Sequence, residues 1–325
     1  MSFLEVDSLD VQILVDNTTD MLSSNAQQVQ SEGAGLFARG GRMMGGLCLC
    51  CAVHGLSCLV TARVGNRTHT VLFDTGPEEY AFERNVSRLG VDLSIVNSIV
   101  LSHGHWDHAG AILLALNMIR TRNGRDTIPF YGHPEMFHKR AVTLPGGIYR
   151  QMVDVPSVEE LTAFGAEVRL SRDPQWLEDG MFLVSGEIAR CTPYERGFPG
   201  QVRLNEQGDW EKDEVMPDER WLGVHVKGKG LVIFSACSHA GIVNVVTDAR
   251  QRFPDIPVYG VFGGFHLSGP NESIIDQTIE GLKRFDLKLI GAGHCTGWRA
   301  MAALANTFGD EVLVPTAVGK RYVIS

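Results

Sequence analysis

The sequence predicts an α/β fold in which two sheets pack together with helices on their outer faces. Short β-rich runs recur along the whole chain. They crowd its first part and alternate with helical patterns in the remainder, and 44% of the 325 residues are hydrophobic against 21% charged, enough to bury a continuous core. These features exclude disorder as the main state.

The strands are taken in chain order. Val11–Val15 is apolar and stops at Asp16-Asn17. Gly45–Ala62 is weakly charged and reads as buried strand, too short for the roughly 20 apolar residues of a membrane helix and interrupted by His54-Gly55. Cys58–Val64 ends at Gly65-Asn66, Thr70–Phe73 at Asp74, and Ser98–Leu101 before a histidine-rich turn. Further runs are Thr127–Tyr131, Glu167–Leu170, Met181–Val184, Leu222–Val226, Leu231–Ser235, Val258–Phe262 and Lys288–Gly291. Apolar spacing of the helical kind covers Ala109–Arg120, Val158–Phe164, Gly241–Phe253, Ser273–Phe285 and Trp298–Phe308. No internal repeat is visible, so residues 1–325 are expected to form one domain. Asp16–Arg42 and Arg196–Arg220 lack a sustained period and read as surface insertions.

Charge and cysteine usage narrow the function. With 29 basic and 38 acidic residues the formal charge is −9, and the basic residues are scattered, which argues against a nucleic-acid partner. Met1–Asp10 has no positive n-region, so a cytoplasmic location is expected, with no membrane partner. Seven cysteines in that setting read as reduced thiols. The spacing of Cys48, Cys50 and Cys51 matches no zinc pattern, and strand alternation would split Cys50 from Cys51.

The most informative run is Ile99-Val-Leu-Ser-His103-Gly-His105-Trp-Asp107-His108-Ala-Gly110. Four ionisable side chains follow an apolar strand and precede an apolar helical pattern, a place where each costs free energy unless paired or coordinated. A turn there aims His103 and His105 at one ion and Asp107 and His108 at its neighbour, which is the spacing of a two-metal site.

This run, preceded by Leu72-Phe73-Asp74-Thr75-Gly76, resembles the metallo-β-lactamase superfamily of metal-dependent hydrolases. The segments His54-Gly55-Leu56-Ser57, Ser185-Gly186-Glu187-Ile188, Cys237-Ser238-His239-Ala240-Gly241-Ile242, Gly263-Gly264-Phe265-His266-Leu267 and Gly293-His294-Cys295-Thr296-Gly297 narrow the likeness. It then points to the subgroup that includes 7,8-dihydropterin-6-methyl-4-(β-D-ribofuranosyl)aminobenzene-5′-phosphate synthase. The resemblance implies a four-layer αββα sandwich with metals at one edge between the sheets. It implies that Asp74 orients ligands and that His294 is the last metal histidine. Where the superfamily has a mid-chain histidine and then a bridging aspartate, this sequence has Glu187, Cys237 and His239. His239 is expected to supply the missing imidazole, while Cys237 is either a thiolate in place of the bridging carboxylate or an inert thiol. His266 follows two glycines that permit close approach and is expected to donate a proton or bind an oxyanion, so Asp107 and His266 stand nearest the chemistry. His54 is placed at the site edge by the resemblance. His69, His133, His138 and His225 read as surface or structural.

The expected cofactor is a pair of divalent ions, with zinc suiting an imidazole-rich set and manganese or iron as alternatives. The expected activity is hydrolysis of a small-molecule ester, lactone or phosphoester by metal-activated water. Arg190 and Arg196 are candidates to anchor a substrate carboxylate or phosphate. The rival readings are a dihydropterin-diphosphate-dependent synthase, an iron-dependent oxidoreductase, and a binding protein without turnover. A homodimer is the default assembly.

Overall fold

The computed structural model describes residues 3–325. An eight-stranded sheet runs in the order 166–170, 128–132, 96–100, 67–73, 57–64, 8–15, 321–324, 29–30. A seven-stranded sheet runs 175–177, 182–184, 222–226, 230–235, 258–263, 289–292, with Glu5–Val6 added beside Leu222–Val226.

Strand alternation sorts side chains into layers. Val71 and Phe73 point into the core between the sheets, where Val232, Phe234 and Phe262 meet them, while Leu72 packs outward against Phe82, Val86, Ile112 and Leu116. On the other sheet Leu231 and Ile233 face outward onto Val245, Val246, Ile279 and Leu304. Both faces of the central strands are buried, so they read as near-continuous apolar runs, and the result is an αββα sandwich.

The helices follow their sequence signals. Glu79–Leu89 is capped by the Glu78 carboxylate, which accepts the Ala81 N–H, and stops at Gly90 with φ 62°. The sequence reading missed this helix because its charged face hides a narrow apolar stripe of Ala81, Phe82, Val86 and Leu89. The pattern expected over Ala109–Arg120 is divided into Trp106–Ala109 and Ile112–Asn123.

Three expectations change. Gly45–Ala62 is strand only from Ser57 onward. Ahead of it the Glu32 carboxylate accepts the Cys50 N–H (2.6 Å) and the Asn85 amide oxygen accepts the Cys51 N–H (2.8 Å), so side chains occupy donors a ladder would need. Within Asp16–Arg42, Asp16 is fully enclosed and Ser31 caps the helix Glu32–Ala38, so the segment is not wholly a surface insertion. Arg196–Arg220 supplies two strands, Gln201–Leu204 and Trp210–Lys212, to a four-stranded sheet with Arg140–Leu144 and Ile148–Gln151. Its anchor is a buried ion cluster: Arg140 meets Asp213 and Asp218, each at 2.8 Å. Among the described residues no helix is long and apolar enough to cross a membrane.

Candidate metal centre

Strand ends of both sheets converge on one edge. Asp74 follows the strand Arg67–Phe73, His103 to His108 follow Val96–Val100, Cys237 and His239 follow Gly230–Ser235, His266 follows Val258–Gly263, and His294 follows Leu289–Ala292. The backbone turns hard there. Asp74 (φ 58°), Ser238 (56°), His266 (41°) and His294 (45°) all sit in the left-handed region that side chains avoid. Strain of this kind persists only where surrounding structure enforces it.

Donor atoms of His103, His105 and His239 lie within 4.8 Å of one another. His103 Nε2 and His105 Nδ1 are 3.0 Å apart, and the outer contacts decide what these nitrogens carry. Asp74 accepts from Ser102 N (2.8 Å), from Ser102 Oγ (2.7 Å) and from His108 Nδ1 (2.8 Å). With its hydroxyl hydrogen given to Asp74, Ser102 Oγ accepts from His103 Nδ1 at 2.8 Å. His105 Nε2 donates to Gln201 Oε1 at 2.6 Å. The outer nitrogens therefore bear the protons, and His103 Nε2, His105 Nδ1 and His108 Nε2 turn lone pairs inward. Two lone pairs at 3.0 Å repel unless a cation lies between them.

A second group stands beside the first. Asp107 Oδ2 lies 3.7 Å from His108 Nε2, 3.5 Å from His294 Nε2 and 3.4 Å from His54 Nε2. Asn17 Oδ1 contacts His294 Nδ1 at 3.0 Å, and the Asn17 amide nitrogen reaches His54 Nδ1, also at 3.0 Å. Cys237 sits between the groups, its Sγ 3.2 Å from His108 Nε2 and within reach of His103.

Electrostatics agree with a cation-ready cluster. Burial drives His103 and His239 well below the ordinary imidazole value, and burial with the Arg140 charge brings His105 to about 4. Burial opposes ionising Asp107, but His108, His294 and His54 outweigh it and hold the carboxyl well below its usual range. The buried nitrogens His239 Nδ1 and Nε2 and His294 Nε2 have no hydrogen-bond partner. Burial opposes charging His108 and His294, but the Asp107 and Asp74 carboxylates raise His108, and Cys295 and Asp107 raise His294, above the ordinary imidazole value. Neutral imidazoles at His103, His105 and His239, an ionised carboxylate and orphaned nitrogens facing inward fit divalent ions.

A cavity of about 330 Å³ opens onto the cluster, lined among others by Trp106, Met152, Phe198, His266, Ser268 and Gly297. Phe198 stacks on His239 with ring centroids 5.2 Å apart.

Not every candidate arrives. Glu187 is partly exposed and binds His133 (3.2 Å) and Arg172 (2.8 Å), because the turn after Phe182–Val184 points it away from the cluster. Arg190 is tied to the carbonyls of Ile188, Val215 and Met216. Arg196 bonds the Pro193 carbonyl from an exposed position outside the cavity wall. Arg190 is thereby held by backbone carbonyls, whereas Arg196 lines a small neighbouring pocket with His239 and His266. Conversely, Asn17, Gln201 and Phe198 were missed. Asn17 had a signal as the polar stop of an apolar strand; Gln201 and Phe198 had none, since they reach the site only through folding of their insertion.

The family pattern described as the metallo-beta-lactamase superfamily matches residues 55–127. The chain is 32% identical over 261 residues to the 7,8-dihydropterin-6-methyl-4-(beta-D-ribofuranosyl)-aminobenzene-5′-phosphate synthase of Methanocaldococcus jannaschii, covering 79% of this chain and 86% of that protein. This chain belongs to the metallo-β-lactamase superfamily. An uncharacterised protein of the same organism is 28% identical over 255 residues, covering 78% of this chain and 88% of its own length. A crystal structure of Tm1679, a metal-dependent hydrolase of the β-lactamase superfamily, aligns over 98% of this chain and 99% of its own with a TM-score of 0.71 and 21% identity. That similarity establishes the shared fold.

Proposed function

We propose that this metallo-β-lactamase superfamily chain is a metal-dependent hydrolase of a small-molecule ester, lactone or phosphoester, with zinc as its metal. The observation that carries the reading is the facing lone pairs of His103 and His105 at 3.0 Å beside the unpartnered nitrogens of His239. His103, His105 and His239 would hold one ion, and Asp107, His108 and His294 the other, with Cys237 where a bridging carboxylate would stand. Divalent ions held there would supply a lowered pKa for bound water and polarisation of the bond under attack.

The chain's own groups do the rest. Asp74 and Ser102 fix the tautomers of His103 and His108, and Gln201 fixes that of His105. Phe198 covers His239 and keeps bulk water off that side. His266 lies on the cavity wall, 4.4 Å from the His239 ring. The cavity suits a small molecule.

The test is zinc content and turnover on a panel of esters, lactones and phosphoesters. The reading expects zinc-dependent hydrolysis that His103→Ala abolishes; full activity after stringent chelation would overturn it. A second reading, a synthase using a dihydropterin diphosphate, is favoured by the 32% identity to the archaeal synthase. Diphosphate release that requires an amine-bearing aromatic co-substrate, without ester hydrolysis, would select it.

A further inference from the structure

Beyond the two imidazole-lined groups, three more donors meet on the cavity wall. The Sγ atoms of Cys237 and Cys295 and a ring nitrogen of His266 all lie within 4.8 Å of one another. We propose that Cys237, Cys295 and His266 form a third cation position, for a thiophilic divalent ion of the zinc class, sharing the Cys237 thiolate with the neighbouring pair. It deepens the metal reading above and rests on it through Cys237.

Packing alone does not account for these thiols. Cys58 and Cys50 belong to apolar core clusters, as buried structural thiols do, whereas Cys237 and Cys295 are 3% and 8% exposed and belong to none. Both line the cavity instead. Cys295 Sγ has the Cys237 carbonyl 3.6 Å away, a weak polar contact. His266 Nδ1 is buried without a partner.

The backbone is bent to bring the donors together. Ser238 beside Cys237, His266 itself, and His294 beside Cys295 adopt positive φ of 56°, 41° and 45°. Such conformations are costly, and a site for packing alone would have no reason to retain three of them. Gly264 is required as well, since a Cβ there would stand 2.4 Å from Cys295 Sγ.

Zinc–sulfur bonds of about 2.3 Å and zinc–nitrogen bonds of about 2.0–2.1 Å put tetrahedral ligand atoms roughly 3.3–3.8 Å apart, so the group closes onto an ion by shifts of about 1 Å. Two thiolates and one imidazole leave the fourth position open toward the cavity. Binding releases the thiol protons to solvent, one from each cysteine not already deprotonated.

The experiment is anaerobic titration of the metal-free protein with zinc, and in parallel with cobalt, reading stoichiometry and sulfur-to-metal absorption. Wild type is expected to take up three equivalents, with an absorption increment on the third. Cys295→Ser and, independently, His266→Asn are expected to stop at two with the first two affinities unchanged, which also shows that each variant folds. Two equivalents in wild type would overturn the third position and leave the two-ion reading standing. No uptake would overturn both. A Cys237–Cys295 disulfide that persists under reductant would also overturn it.

Discussion

Replacing Asp74 by asparagine changes one atom's chemistry and almost no volume, yet the hydrogen-bond pattern predicts that it disables two of the proposed metal ligands. Ser102 N requires an acceptor at 2.8 Å, so the amide oxygen must stay at Oδ1 and the NH2 group must take the place of Oδ2. That group then faces His108 Nδ1 and Ser102 Oγ, both of which now donate to Asp74. Two donors cannot face each other, so His108 is driven to carry its proton on Nε2, the atom pointing at Cys237 and Asp107. Ser102 is turned in the same way. Its hydroxyl accepts from the new amide and donates to His103 Nδ1, pushing the His103 proton onto Nε2, which faces His105.

Outer partners of this type are worth about 10–100-fold in metal affinity. At about 1.4 kcal/mol per tenfold, each flipped tautomer costs roughly 1.4–2.8 kcal/mol of zinc binding. The assay is competition for zinc against a chromogenic chelator, with circular dichroism confirming the fold. A variant that folds and binds both ions within twofold of wild type would refute the tautomer argument.

Three other perturbations test the surrounding structure. Gln201→Leu removes the acceptor of His105 Nε2 and should weaken zinc binding by about 10–100-fold while leaving the Asp107, His108 and His294 group intact, as read by the same competition. Gly110→Ala puts a Cβ 1.8 Å from the Pro77 carbonyl oxygen, where two backbones must part, and should cost about 3 kcal/mol in urea unfolding; an unchanged midpoint would show that this loop yields freely. Burial resists ionising Glu135, but His138 and Arg172 outweigh it and bring the carboxyl from 4.5 to about 2. Its folded pKa is depressed, so its contribution is full above pH 4.5 and lost as pH falls toward 2. The stability gap between wild type and Glu135→Gln should therefore narrow as pH falls below 4.5, measured by urea denaturation across that range.

The sequence makes most of the long strands of both sheets legible, because a strand buried on both faces leaves an unbroken apolar run that its polar stops delimit. The short strands Glu5–Val6, Val29–Gln30 and Gln175–Leu177 and the strand Arg321–Ile324 carry no such run and are absent from the expected set. It also determined the His103 to His108 run, since those four side chains are neighbours along the chain and their chemistry is local. Asp74, His239, His266 and His294, each lying just beyond a strand end, and His54, just ahead of a strand, were legible through resemblance. Folding was needed to show that Cys237 lies between the two sets of donors and that Glu187 and Arg190 are bound elsewhere. Gln201 and Phe198 lie 96 and 93 positions along the chain from His105, and are brought to it by a sheet whose anchor, Arg140 with Asp213 and Asp218, is itself assembled from distant segments. A sequence displays what neighbouring residues do together; contacts across such separations depend on pairing register and buried charge, which take effect only once the chain has folded.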